Sequence, residues 1–117
     1  MAPGEIYLAA FPFGDVPGMK LRPVLLLTGS IGLIPEVLVA YISSVIPERL
    51  LASDIILDPS RPEFYGCNLK VVSALRLHKL ATIHCSSLLR RLGAIDALHQ
   101  DVVANRLRGL LGIDETR

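Results

Sequence analysis

The sequence predicts a mainly β fold, a small antiparallel barrel or half-barrel carrying one closing helix. Three observations predict it. Short aliphatic runs bounded by Gly, Pro and polar residues recur from Glu5 to Ala94, as strands do. Hydrophobic residues make up 51% of the chain with only three Phe, three Tyr and no Trp, so the core is aliphatic and suits strands. From Asp96 onward the apolar period changes to that of a helix. The 117 residues are enough for one core and read as one domain over 1–117.

The elements follow in order. Glu5–Phe11, "EIYLAAF", reads as a strand with both faces mainly apolar. Residues 12–20, "PFGDVPGMK", hold two Pro and two Gly and read as a loop. Residues 22–28 form a continuous aliphatic run that suits a central strand. A turn over 29–35 leads to a third strand, Glu36–Ser43, and a polar interruption over 47–53 leads to a short fourth, Asp54–Leu57. Residues 58–68, "DPSRPEFYGCN", read as a second long loop, and long loops in compact domains are often functional. Residues 73–83, "SALRLHKLATI", alternate for part of their length. As a strand they place Arg76 and His78 on one face and Leu75 and Leu77 on the other. Residues 85–89 suit a helical turn and 92–94 a short strand. A helix is predicted over 96–111 from the stripe Leu98, Val102, Leu107 and Leu110, with Val103 and Leu111 beside it. Asp96 is its expected N-cap and Gly112 its stop.

Charge and targeting exclude several classes. Twelve Lys and Arg against eleven Asp and Glu leave a net charge of +1, so a polyanion site must be a local patch. Mean hydropathy is +0.50, yet the longest uncharged runs, 23–35 and 37–47, fall short of the roughly 20 residues that span a bilayer. The N-terminus shows no basic region of a signal peptide. Cys67 and Cys85 form no motif and no disulfide framework, which fits a reducing, cytoplasmic setting.

The candidate chemistry gathers at a few positions. Lys20 and Arg22 stand where the first loop enters the aliphatic strand. A guanidinium there is permanently charged and can be aimed at a phosphate, or it simply flanks a strand at the surface. Arg76 and His78 pair a permanent cation with an imidazole that titrates near neutral pH, a combination suited to phosphodiester chemistry or to the wet face of a strand. Ser43 and Ser44 end the third strand and can orient a phosphate or satisfy strand-end backbone groups. Arg90 and Arg91 extend a basic patch only if adjacent side chains do not point apart. His78, His84, Cys85 and His99 fit no zinc spacing, and CxxC, HExxH, GxSxG and nucleotide-binding glycine patterns are absent, so no metal or cofactor is expected.

Taken together these segments resemble the MazF/PemK (Kid) family of toxins from type II toxin–antitoxin modules, over residues 4–113. "GEIYLAAF" is similar to the family's opening strand, "LRPVLLLTG" to its R-P strand, and "VAYISS" to its third strand. "SALRLHKLATI" sits where the family carries S-V-(V/I)-x-x-(D/E)-Q-(I/P)-R-T-I, and "GLLGI" resembles the end of its closing helix. The resemblance implies an SH3-like barrel with added helices, usually a homodimer. It also implies metal-independent cleavage of single-stranded RNA, in which the ribose 2′-hydroxyl attacks the adjacent phosphate and leaves a 2′,3′-cyclic phosphate. An acidic antitoxin is the implied protein partner.

Carried over position by position, Arg22 falls on the arginine used at the scissile phosphate, and Ser43 on the functional hydroxyl of the third strand. Arg76 falls on a general acid or phosphate ligand, and His78 on an acidic general base. Lys20, Ser44 and Lys79 are the accompanying RNA-binding candidates. The chain departs from the family at three points: His78 replaces Asp or Glu, Lys79 replaces Gln, and Ala81 replaces Arg. The cleavage sequence therefore does not transfer. A non-catalytic SH3-like module that binds RNA or a protein partner is the rival expectation.

Overall fold

The computed structural model describes residues 1–11, 18 and 20–113. Six strands run as β1 (Glu5–Phe11), β2 (Lys20–Leu26), β3 (Glu36–Ser43), β4 (Asp54–Leu57), β5 (Ser73–His84) and β6 (Leu88–Ala94). One helix, α1 (Ala97–Leu111), closes the chain. The strands form one antiparallel sheet in the order β4-β5-β3-β2-β1-β6. Among the described residues no pairing joins β4 to β6, so the sheet curls like a barrel without closing.

The bounds of β1, β3 and β4 are those expected. The second strand starts two residues earlier than expected and ends at Leu26, so Lys20 belongs to the strand and not to the loop before it. The rest of that loop, 12–17 and 19, lies outside the described residues, as does 114–117. The loop over 58–68 is partly helical: Pro62–Cys67 forms a 3₁₀ helix, with Pro62 at its first turn, where no amide is needed. It stops at Asn68, whose φ of 54° is left-handed and whose side-chain amide donates to the Leu92 carbonyl at 2.7 Å. The turn expected over 85–89 is a shorter 3₁₀ helix, Cys85–Ser87, and β6 begins at Leu88 rather than 92.

The sheet is buried on both faces at its centre. On one face Ile6, Leu25, Ile42, Leu75 and Leu77 pack with Phe64 and Cys67 of the 3₁₀ helix and Val103 of α1. On the other, Ala9, Val24, Leu26, Val37, Val39 and Ile83 form a second cluster flanked by Tyr7 and Tyr41. This is why 24–26 reads as an unbroken aliphatic run: successive side chains enter different cores. Helix α1 is capped as expected, Asp96 accepting from the His99 amide at 2.7 Å and Gly112 stopping it at a φ of 71°. Its apolar stripe is only partly covered, however. Val103 is buried and Val102 and Leu107 half-buried, while Leu98, Leu110 and Leu111 face outward. No helix is long and apolar enough to cross a membrane among the described residues.

Candidate active site

Antiparallel register decides which polar side chains meet. Tyr41 of β3 lies opposite Val24 of β2 on one side and opposite Arg76 of β5 on the other. Arg76 in turn lies opposite Asp54 of β4. Partners in such a row share one face of the sheet. Ser43 pairs with Ala74 and is a diagonal neighbour of Arg76 on that same face. The β2–β3 register, continued two residues beyond its last paired position, sets Arg22 opposite Ser43. Arg22, Ser43, Arg76 and Asp54 thus occupy one end of one face across four adjacent strands.

A break in β5 places the histidine. Leu80 pairs with Ala40 but Arg76 pairs with Tyr41, so Leu77, His78 and Lys79 form a bulge without partners on β3. Leu77 turns into the core, and His78 and Lys79 are exposed. The expected division of faces holds: Leu75 and Leu77 are buried, and Arg76 and His78 both reach Asp54.

Asp54 organises the centre. Its carboxylate is fully buried. Oδ1 accepts from Arg76 Nε at 2.8 Å, and Oδ2 accepts from the Leu51 amide at 2.8 Å. His78 Nδ1 stands 3.9 Å from the same Oδ1, within reach of an ion pair when the ring is protonated and too long for a hydrogen bond. From α1, Arg106 Nη1 donates to the carbonyls of Ala52 and Asp54 at 2.8 and 2.7 Å, bracing the turn that carries the carboxylate. Burial pushes the Tyr41 hydroxyl above the ordinary tyrosine value. No buried side-chain nitrogen or oxygen among the described residues lacks a hydrogen-bond partner.

The remaining candidates divide. Arg22 is exposed, and its guanidinium touches the neighbouring Leu21 carbonyl at 3.3 Å. Lys20 is half-buried two residues before it, on the same face of β2. The Ser43 hydroxyl both accepts from the Val45 amide at 3.1 Å and donates to the Val45 carbonyl at 3.2 Å, the strand-end use that its position allowed. Ser44 is exposed beside it. Arg91 does not extend a basic patch: it pairs with Glu5 at 2.7 Å and holds that carboxyl below the usual range. His84 caps the short 3₁₀ helix, accepting from the Ser86 amide at 3.0 Å, and His99 pairs with Asp96 at the start of α1.

Sequence reasoning passed over Asp54 and Arg106. Asp54 was visible only as an acid at the mouth of an aliphatic strand, and its partner lies 22 positions along the chain. Arg106 lies 52 positions from the carbonyl that it braces. Neither spacing carries a local signal.

A barrel-like antiparallel sheet with one closing helix, carrying arginines and a histidine together on one face, defines the class of fold. Residues 2–111 match the family model of the PemK-like, MazF-like toxins of type II toxin–antitoxin systems, and the chain belongs to that family. Among solved structures it resembles the Mycobacterium tuberculosis toxin MazF-mt6, with a TM-score of 0.72 and 24% identity over 94% of this chain and 98% of that one. It also resembles an endoribonuclease in complex with its cognate antitoxin from a mycobacterial species, at TM-score 0.69 and 14% identity over 99% of each chain. A mycobacterial endoribonuclease gives a TM-score of 0.68 at 14% identity, covering 99% of this chain and 95% of that one. At these identities the three show a shared fold. No curated protein sequence matches the chain.

Proposed function

We propose that this chain is the toxin of a type II toxin–antitoxin pair and acts as a metal-independent endoribonuclease on single-stranded RNA. The observation that carries the reading is the convergence of Arg22, Ser43 and Arg76 on one end of one sheet face, with His78 held beside them in the β5 bulge. In this reading His78 removes the proton of the ribose 2′-hydroxyl. The 2′-oxygen bonds to phosphorus, the bond from phosphorus to the 5′-oxygen breaks, and that oxygen leaves as a hydroxyl after taking a proton from water. The other product is a 2′,3′-cyclic phosphate. Arg22 and Arg76 stabilise the charge that builds on the phosphoryl oxygens, and Ser43 orients the phosphate. Lys20, Ser44 and Lys79 hold the flanking strand.

The same reading gives the protein an acidic antitoxin as partner, a second copy of itself in a homodimer, and the cytoplasm as its place of action. Incubating the pure protein with mixed-sequence single-stranded RNA in EDTA tests it. Expected are fragments ending in cyclic phosphate, and a loss on the order of a hundredfold in Arg22→Ala with the fold intact. A requirement for a divalent metal overturns the mechanism. The rival, a non-catalytic module that holds RNA or a peptide, draws on one observation: the Ser43 hydroxyl is already engaged by Val45. It predicts stoichiometric binding without products and no growth arrest on expression.

A further inference from the structure

We propose that Asp54 is a positioning residue of this site: it fixes the guanidinium of Arg76 for the reaction and faces the ring of His78, without touching RNA itself. The inference rests on the ribonuclease reading above and adds to it a residue that the pattern of the sequence did not single out.

The geometry carries it. A buried carboxylate that accepts from Nε holds the guanidinium by one edge and leaves both terminal nitrogens, at its other end, uncommitted to that bond on a side chain that is 15% exposed. Among the described residues the Arg76 side chain is seen to donate to Asp54 alone. Two parallel donors at fixed spacing match two phosphoryl oxygens, which a freely rotating arginine presents only part of the time. The same Oδ1 faces His78 Nδ1 at 3.9 Å, so the Nδ1 edge is turned inward and Nε2 outward, the orientation an imidazole needs to accept a proton from a bound hydroxyl. Asp54 is itself immobilised. The Leu51 amide holds Oδ2, Arg106 holds the Asp54 and Ala52 carbonyls, and β4 is paired along its length with β5. The anchor, the fork and the base therefore share one rigid frame that runs from α1 through β4 to β5. A buried pair that merely staples β4 to β5 does not need a histidine facing the same oxygen from an exposed bulge.

The test is steady-state cleavage of a single-stranded RNA oligonucleotide in EDTA by the full chain and by Asp54→Asn, Arg76→Lys and the double variant. Asp54→Asn keeps the shape and an acceptor oxygen but loses the charge that holds Arg76. Arg76→Lys keeps the positive charge but has neither Nε–H nor fork. Expected is a fall in kcat of roughly tenfold to a hundredfold in either single variant, with KM within about threefold of wild type. Adding Asp54→Asn to Arg76→Lys then costs less than about a further twofold, because the fork that Asp54 served is already gone. Should Asp54→Asn fail to fold, Arg76→Lys decides, its fold checked by circular dichroism and its positive charge still facing Asp54: kcat within twofold of wild type overturns the proposal. So does an Asp54→Asn protein of normal kcat and lowered melting temperature, which makes the pair a structural staple only. Wild-type protein that leaves RNA intact overturns the ribonuclease reading and this one with it, an outcome distinct from an active wild type with an active Asp54→Asn.

Discussion

Arg76 illustrates how one side chain takes on two tasks. Its Nε–H is committed to a carboxylate with no exposed surface, and register sets the residue on the sheet face that Arg22 and Ser43 share. Removing one partner of such a buried pair leaves the other charge without compensation, which costs about 3–5 kcal/mol. Arg76→Ala is therefore expected to lower the urea midpoint strongly with an unchanged m-value, measured by circular dichroism, and Asp54→Asn added to it to recover part of the loss. Cys67 gives a second expectation at this scale. Burial, with Asp96 adding to it, pushes its thiol up to about 11, so almost no thiolate exists at pH 8. Iodoacetamide should alkylate Cys67 only once denaturant opens the core, as peptide mass spectrometry reports.

At the scale of elements, the closing helix depends on its first turn. Asp96 accepts from the His99 amide and from its ring, and these bonds hold the carboxyl below its ordinary value. A carboxylate with a depressed folded-state pKa contributes stability that is complete above its unfolded value, about pH 4, and is lost as pH falls through the folded value. Asp96→Ala is accordingly expected to lower Tm at pH 7 and to differ little from wild type near pH 2, in a series of thermal melts. Strand β6 shows a different constraint. A methyl group on Gly93 overlaps the Gly66 carbonyl oxygen and the Cys67 backbone, because the 3₁₀ helix lies directly against the strand. Gly93→Ala is expected to cost about 1–3 kcal/mol by overpacking. The loss should come with a weakened Asn68–Leu92 tether, seen as faster amide exchange over 62–68.

For the whole molecule, charge is local and not global. A net charge of +1 gives no long-range attraction for a polyanion, so under the proposed function RNA affinity depends on the few cations gathered on one sheet face. If Lys20, Arg22, Arg76 and Lys79 each neutralise one phosphate, the logarithm of the binding constant falls with the logarithm of salt at a slope of about −3 for a single strand. Arg22→Ala should reduce that slope by about 0.7, and Arg91→Ala should leave it unchanged because Arg91 is paired with Glu5. Fluorescence anisotropy with an uncleavable 2′-O-methyl oligonucleotide at several salt concentrations measures both.

How much of this was legible without coordinates follows from the range of the interactions. The bounds of β1, β3 and β4, the helix after Asp96 and its stop at Gly112 are local matters, written in alternation, capping and the left-handed freedom of glycine. Arg22 and Ser43 were legible as types of residue at strand ends and Arg76 and His78 as types on one strand face, and the family pattern ordered them. Their common face was not, since it depends on registers between strands up to 35 residues apart, together with a bulge at Leu77, His78 and Lys79. Asp54 and Arg106 were invisible for the same reason. A carboxylate acquires its meaning only when folding buries it against Arg76 and removes the water that would otherwise solvate both. The sequence by itself determined the strands, the helix and the chemistry available. Tertiary structure alone decided which charges meet, because strand register and burial are properties of the assembled sheet.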